Sequence, residues 1–401
     1  MNNWELTVGL EVHIQLSTQT KMFCQCISKY GEEPNSLTCP ICLAMPGSLP
    51  IINQEAIDMA IKLSHALNFS VNNNTSFSRK NYYYPDLPKG YQITQFNDPI
   101  CKNGKLEIED NDKKYTIGIT RAHIEEDSGK LIHHSDNCSF VDLNRAGSPL
   151  IEIVSEPEIH SSEHAKLYLE KLKQIIKYIN ISDCDMEKGN LRVDINVSIK
   201  KEGDLNLGTR REVKNLNSFK SVQKAIDYEY KKQIELIESG HKIEQSTLTW
   251  DEKNNITKVI RKKEDAHDYR YFPDPDLLPL EFNNDYVEKI KKEIPELPDQ
   301  KKTRFIDKFN LSSYEANILV SDLDTSKYFE TVIENSDVKL SSNWITGELF
   351  ALLNEKNLEI TESPISAKNL SNLINLIKDG TISGKIAKTV FELMSEGDKN
   401  P

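Results

Sequence analysis

TVGLEVHIQL (residues 7–16) alternates without a break. From Leu6 to Leu16 the even positions are Leu6, Val8, Leu10, Val12, Ile14 and Leu16. The odd positions are Thr7, Gly9, Glu11, His13 and Gln15. A period of two is the signature of a β-strand buried on one face only. The pattern recurs in LRVDINVSI (191–199), which sets Leu191, Val193, Ile195, Val197 and Ile199 against Arg192, Asp194, Asn196 and Ser198. YTIGITRAHIEED (115–127) and SPLIEIVSEP (148–157) read as further strands that contain or end in carboxylates. STLTWDEKNNITKVIRK (246–262) reads as a hairpin turning near Lys253–Asn255. Strands with one polar face predict an antiparallel or mixed sheet, covered by helices on one side. Helices are predicted over Asn53–Leu67, Ser161–Tyr178 and Ser218–Gly240. The fold class expected is α+β, not a doubly wound parallel sheet. Beyond about residue 295 the pattern turns helical, with short Pro, Gly and Ser breaks. A boundary is therefore expected near 294, dividing the chain into 1–294 and 295–401.

The bulk properties narrow the class. With 401 residues there is room for two or three domains with cores of their own. Mean hydropathy is −0.54, and no run approaches the roughly 18 apolar residues of a membrane span. The N-terminus shows no basic stretch followed by an apolar one, so no cleaved targeting peptide is expected. Seven cysteines, an odd number, do not suggest a secreted disulfide framework, and a cytoplasmic location is expected. A net charge of −12 argues against non-specific nucleic-acid binding. Three local basic patches, 200–220, 259–272 and 289–305, leave room for a structured RNA, or are solvated surface.

Four cysteines cluster in FCQCISKYGEEPNSLTCPICLAMPG (23–47): Cys24, Cys26, Cys39 and Cys42. Two close thiolate pairs suit a closed, tetrahedral structural zinc site. Four separate buried cysteines or a redox-active CPIC are the alternatives, and the clustering favours zinc. Cys101, Cys138 and Cys184 stand apart and read as packing residues. Acids recur at strand positions: Glu11, Glu125, Glu126, Glu152 and Asp194. Magnesium takes carboxylate and phosphate oxygens with few protein ligands. Glu11 and His13 lie about 6.6 Å apart along one strand face, near enough to share a metal. On spacing alone a solvated strand face accounts for them better, and the other acid-bearing strands raise the metal reading. No G-x-x-x-x-G-K-[ST] loop and no G-x-G-x-x-G is present; GTISGKI (380–386) only approaches the first. A nucleotide would therefore lie across the sheet face. In SRKNYYYPDLPKGYQITQF (78–96), Tyr82, Tyr83 and Tyr84 follow Lys80. They read as a platform for RNA or an aminoacyl group, or as a proline-anchored surface loop.

Together VGLEVHIQL, SRKNYYYPDLPKGYQITQF, GITRAHIEEDSGK, VDLNRAGSPLIEIVSEP, GNLRVDINVSI, VKNLNSF and YRYFPDPDLLPL resemble the B subunit (GatB) of the glutamyl/aspartyl-tRNA amidotransferases. The resemblance runs in order from about residue 8 to the end, and VDLNRAGSPLIEIVSEP is its most specific part. It implies a glutamine-synthetase-like cradle domain followed by a helical domain. It also implies use of ATP and magnesium to phosphorylate the side-chain carboxylate of Glu-tRNA(Gln) or Asp-tRNA(Asn), which ammonia then amidates. The magnesium ligands implied are Glu11, His13, Glu126 and Glu152. Lys80 and Asp194 are implied to line the reaction centre, with Arg192 as a phosphate or acyl contact. The four cysteines are implied to hold zinc. Ammonia is implied to come from a partner amidase, the A subunit of a heterotrimer braced by a small C subunit, since this chain carries no amidase stretch of its own. The family continues into a tRNA-binding helical tail, and the chain given stops at Asp398-Lys399-Asn400-Pro401, so that tail is expected to be absent. The archaeal paralogue has an inserted domain for which there is no room here. A non-catalytic tRNA-binding subunit with a merely solvated acidic face is the rival reading.

Overall fold

β1 (Trp4–Gln15) lies in the middle of a twelve-stranded sheet in the computed structural model, which describes residues 4–111, 113–133, 138–262, 268–397 and 400–401. The sequence positions 263–267 of one basic patch and Asp398–Lys399 at the chain end lie outside the described residues. In chain order the strands that follow are β2 (Ser70–Val71), β3 (Asn74–Thr75), β4 (Ser78–Asn81), β5 (Tyr91–Thr94) and β6 (Cys101–Asp110). Then come β7 (Lys113–Glu126), β8 (Lys130–His133), β9 (Ser139–Asp142), β10 (Pro149–Ser155) and β11 (Leu191–Lys201). The last are β12 (Arg211–Leu216), β13 (Ser246–Asp251), β14 (Ile256–Lys262), β15 (Phe272–Pro273) and β16 (Leu280–Glu281). The main path of the large sheet is β14-β13-β12-β11-β1-β10-β7-β5-β4-β15, and β6 and β2 extend it beside β7. β12 and β13 run parallel; the other pairings are antiparallel.

The alternation decides which face is covered. Val8, Leu10, Val12, Ile14 and Leu16 are buried, as are Leu191, Val193, Ile195, Val197 and Ile199. Over this apolar face pack α1 (Gln54–Ala66), α2 (Ser162–Tyr178) and α3 (Phe219–Glu238). Each starts where a side-chain oxygen accepts an orphan backbone N–H: Asn53 from Glu55, Ser161 from His164, Ser218 from Ser221. Burying each large aliphatic side chain of these strands stabilises the fold by about 1.5–3 kcal/mol. The expected α+β class with a mixed sheet is the one observed, and the three expected helices form. The 246–262 hairpin is β13 and β14, turning between Asp251 and Ile256.

Contacts divide the chain into two compact units, Met1–Ile294 and Pro295–Pro401. α4 (Asn284–Lys291) closes the first against α1. The second contains α5 (Pro298–Phe309), α6 (Ser313–Leu319), α7 (Leu323–Ile333), α8 (Val338–Trp344), α9 (Phe350–Lys356), α10 (Ala367–Lys378) and α11 (Gly384–Met394). Phe305, Phe329, Leu370 and Ile374 are fully buried at its centre. Ser and Asp caps start most of these helices, which is why the Ser breaks were legible as boundaries. Among the described residues no helix is long and apolar enough to cross a membrane.

Candidate active site on the open sheet face

Residues paired directly across neighbouring strands share a face, so register alone assembles the polar row. Glu11 lies opposite Asp194, and His13 lies between Arg192 on one side and Glu152 on the other. Glu152 in turn faces His123, and Glu125 faces Thr94 at the next strand. In the other direction Asn196 faces Glu212, Glu212 faces Thr247, and Thr247 faces Arg261. Lys80 reaches the same face through Gln92 at the far side.

Two donor clusters stand on this row. His13 Nε2 lies 3.1 Å from Glu152 Oε2 and 3.6 Å from Glu125 Oε1. His123 Nε2 lies 3.7 Å from both carboxylates, and Arg121 Nη2 lies 3.7 Å from Glu152. Burial alone pulls His13 down, but the hydrogen bond and charge of Glu152, with the charge of Glu125, leave it above its ordinary value. Burial pushes Glu152 up, and His13, His123 and Arg121 together drive it well below the usual carboxylate range. Glu125 is likewise pushed up by burial but held low by His123 and His13. His123 Nδ1 is buried with no hydrogen-bond partner.

The second cluster is Glu11, Asp194 and Glu212. Asn196 Nδ2 donates to Glu11 at 2.8 Å, while Lys214 Nζ spans Asp194 at 2.5 Å and Glu212 at 2.9 Å. Burial, then the charge of Glu152, raises Glu11. In each cluster one oxygen or nitrogen per residue lies within 4.8 Å of the others, close enough to hold a shared cation. The all-carboxylate set supplies the hard oxygens that magnesium takes; the set with His13 adds one softer nitrogen to two such carboxylates. Beside the second cluster is a cavity of about 250 Å³, lined by Glu11 and Glu212 with Arg210, Arg261 and Lys262.

Glu126 is not in either cluster. It points to the opposite side of β7, pairs with Lys89, and accepts from Ile93 N at 2.9 Å. Glu125 occupies the position beside His13 and Glu152. The alternation of Arg121, His123 and Glu125 against Ala122 and Ile124 carried that signal in the sequence. Arg192 reaches Asp127 at 3.0 Å, and Arg145 shares that carboxylate at 3.3 Å. Of the three tyrosines, Tyr83 and Tyr84 are exposed, whereas Tyr82 packs edge-on to Tyr269 at 6.0 Å. Lys80 Nζ sits 4.9 Å above the Tyr269 ring and 5.7 Å from that of Tyr82. Glu212 and Lys214 do not stand out in the sequence, because only register brings them to the row, and Tyr269, which lies in no strand, is tied there by the hydrogen bond from Asn81 N.

Cys24, Cys26, Cys39 and Cys42 also converge, with one sulfur each within 4.8 Å. Sγ of Cys42 is 3.9 Å from those of Cys26 and Cys39. A tetrahedral ion with Zn–S bonds of about 2.3 Å has edges of about 3.8 Å, so the thiols fit that ion. Lys21 Nζ, fully buried, is 3.6 Å from Cys42 Sγ. The hydrogen bond from Cys24 leads several effects, Lys21 among them, that push Cys42 down to about 4.

Residues 6–288 match the GatB/GatE catalytic domain family, and residues 327–401 match the GatB domain family. The chain is 52% identical over 405 residues to the aspartyl/glutamyl-tRNA(Asn/Gln) amidotransferase B subunit of Pelagibacter ubique, covering 100% of this chain and 82% of that one. Subunits of the same name from Persephonella marina and Carboxydothermus hydrogenoformans are each 50% identical, over 99% and 100% of this chain and 84% of theirs. The donor row thus lies in the part that matches a catalytic domain, and the chain belongs to the GatB family, the B subunits of the aspartyl/glutamyl-tRNA(Asn/Gln) amidotransferases.

Proposed function

We propose that the open face activates the side-chain carboxylate of glutamate or aspartate carried on tRNA(Gln) or tRNA(Asn), using ATP and magnesium, so that ammonia can amidate it. The family supports the substrate class. The observation that carries the chemistry is the pair of donor clusters side by side on the sheet face opposite the three helices. His13, Glu125 and Glu152 would hold one magnesium ion and Glu11, Asp194 and Glu212 a second. Magnesium there neutralises the crowded charge of phosphate and carboxylate. Glu126, implied as a ligand by the resemblance, would have to leave Lys89 to join them.

A carboxylate is a poor electrophile, so the side chain needs a leaving group. One of its oxygens attacks the γ-phosphorus of ATP, the bond to the bridging oxygen breaks, and ADP departs. Ammonia then attacks the acyl carbon, loses a proton, and inorganic phosphate leaves. Arg210, Arg261 and Lys262 suit nucleotide phosphates, and Arg192 and Lys80 suit the acyl side. A partner amidase, the A subunit, supplies the ammonia and a small C subunit completes the heterotrimer, in the cytoplasm. The sheet with its one-sided helices acts as the glutamine-synthetase-like cradle, and zinc at the four cysteines staples its early loop.

In the three-subunit complex, His13→Ala and Glu11→Ala should each abolish ADP formation dependent on Glu-tRNA(Gln) or Asp-tRNA(Asn), with glutaminase turnover retained. Normal transamidation by both variants would sink the assignment and favour a protein that only binds tRNA. Offering both mischarged tRNAs also shows which one is amidated.

A further inference from the structure

At the Lys80 end of the open face the character changes from carboxylates to aromatic rings. Phe96 stacks on Tyr271 with centroids 3.9 Å apart and planes 6° from parallel, yet 52% of Phe96 remains exposed. Tyr271 meets Tyr269 edge-on at 6.2 Å, and Tyr269 meets Tyr82. The two tyrosines flank Arg270, whose φ of 44° is the left-handed conformation a non-glycine residue adopts at a strain. Asn81 holds this turn: its backbone N donates to Tyr269 O at 3.0 Å, and its side chain donates to Arg270 O at 2.8 Å. Asn81 thereby ties the turn that carries both rings to β4, next to Lys80. Burial, then the charge of Glu125, pushes Tyr271 up to about 12, which agrees with its place beside the His13 cluster.

A stacked ring with its other side open suits a nucleobase, because every base has a π-face. Lys80 has no carboxylate partner among the described residues and sits over Tyr269, a free cation for a neighbouring phosphate. The basic cavity for nucleotide phosphates lies across the row, beyond Glu11, so the aromatic end is left for the other substrate. Resting on the function proposed above, we infer that Phe96 and Tyr271 form the stacking platform for the unpaired 3′-terminal base of the aminoacyl-tRNA, with Lys80 on its backbone. The platform fixes the ester-linked amino acid so that its side chain reaches Glu125 and His13.

The probe is an RNA minihelix with 2-aminopurine at its 3′ end, bound to the full chain in its amidotransferase complex. Stacking quenches the fluorophore in the wild type. Phe96→Leu and Tyr271→Leu should remove the quench and raise the KM for aminoacyl-tRNA about 5- to 100-fold. Tyr271→Phe should restore both, and the Kd for ATP should stay unchanged in all three. No quench in a wild type that still amidates tRNA would overturn the platform while leaving the proposed function standing. A loss of ATP affinity in the leucine variants would also overturn it, placing the adenine of ATP there. Absence of amidation by the wild type would instead strike the proposed function itself.

Discussion

The molecule holds two kinds of donor cluster, and they differ in what is left over. The four thiols converge from one irregular loop, match a tetrahedral ion in number and spacing, and have the fully buried Lys21 against Cys42. Nothing in such a set is spare, which suits an ion held for structure. The carboxylate clusters come from five different strands, offer three donors each, and lie on the sheet face opposite α1, α2 and α3. Their unfilled positions are where phosphate and water can enter. A closed set suits a staple and an open set suits a reaction.

The largest test of that contrast separates neighbours on one strand. Glu125→Gln should cut aminoacyl-tRNA-dependent ADP formation by about a thousandfold or more, the scale of losing charge stabilisation in a reaction centre. Glu126→Gln should act mainly on stability, because it leaves the mostly buried Lys89 unpaired; losing one partner of a buried pair costs about 3–5 kcal/mol. Melting curves and single-turnover phosphorylation read the two effects apart. If Glu126→Gln abolishes turnover in a fully folded protein, Glu126 has joined the metal set and the open cluster holds a further carboxylate.

The closed set is probed next. Cys42→Ser should remove zinc, read by absorption-edge scanning, and lower the Tm by about 5–10 °C. Lys21→Met keeps all four thiols but deletes the cation at 3.6 Å from Cys42, so zinc affinity measured against a chromogenic chelator should fall about 10- to 100-fold. Unchanged affinity would mean that Lys21 serves Leu143 O, 3.2 Å away, and not the thiolates.

How much of this was legible in the sequence follows from the range of each interaction. Period-two alternation is local, so the buried face of β1 and β11 and the polar character of Glu11, His13 and Asp194 could be read directly. Cysteine spacing is nearly local and placed all four thiols. Register between strands is not local. That is why Glu212 and Lys214, from a strand with a short and mixed pattern, were invisible beside Glu11, and why Tyr269 and Tyr271 were not connected with Lys80. The adjacent carboxylates Glu125 and Glu126 show both sides of this. Parity already separated them onto opposite faces, yet family resemblance pointed to the second, and only the packing of Lys89 shows what that second carboxylate faces.

The smallest effect is the pH dependence of the metal-free open cluster, and its sign is fixed by the two shifts. His13 is raised above its ordinary 6.5 on folding, so its contribution is complete below that value and is lost as pH rises through the folded value. Glu152 is depressed below its ordinary 4.5, so its contribution is complete above that value and is lost as pH falls through the folded one. The two statements describe one hydrogen bond, at 3.1 Å, seen from its two partners, and count once. Metal-free protein should therefore draw the full benefit between 4.5 and 6.5, and raising the pH to about 8.5 should cost it about 2–4 °C of Tm relative to His13→Gln. A divalent cation competes with the His13 proton, so magnesium or manganese binding should release a proton near neutrality and tighten as pH rises. The Cys42 thiol, held down to about 4 chiefly by the hydrogen bond from Cys24, should cause no such loss as pH rises over this range. Parallel melting of the chelator-treated wild type and His13→Gln across that range decides it: parallel curves would mean that the imidazole proton does not stand in for the cation.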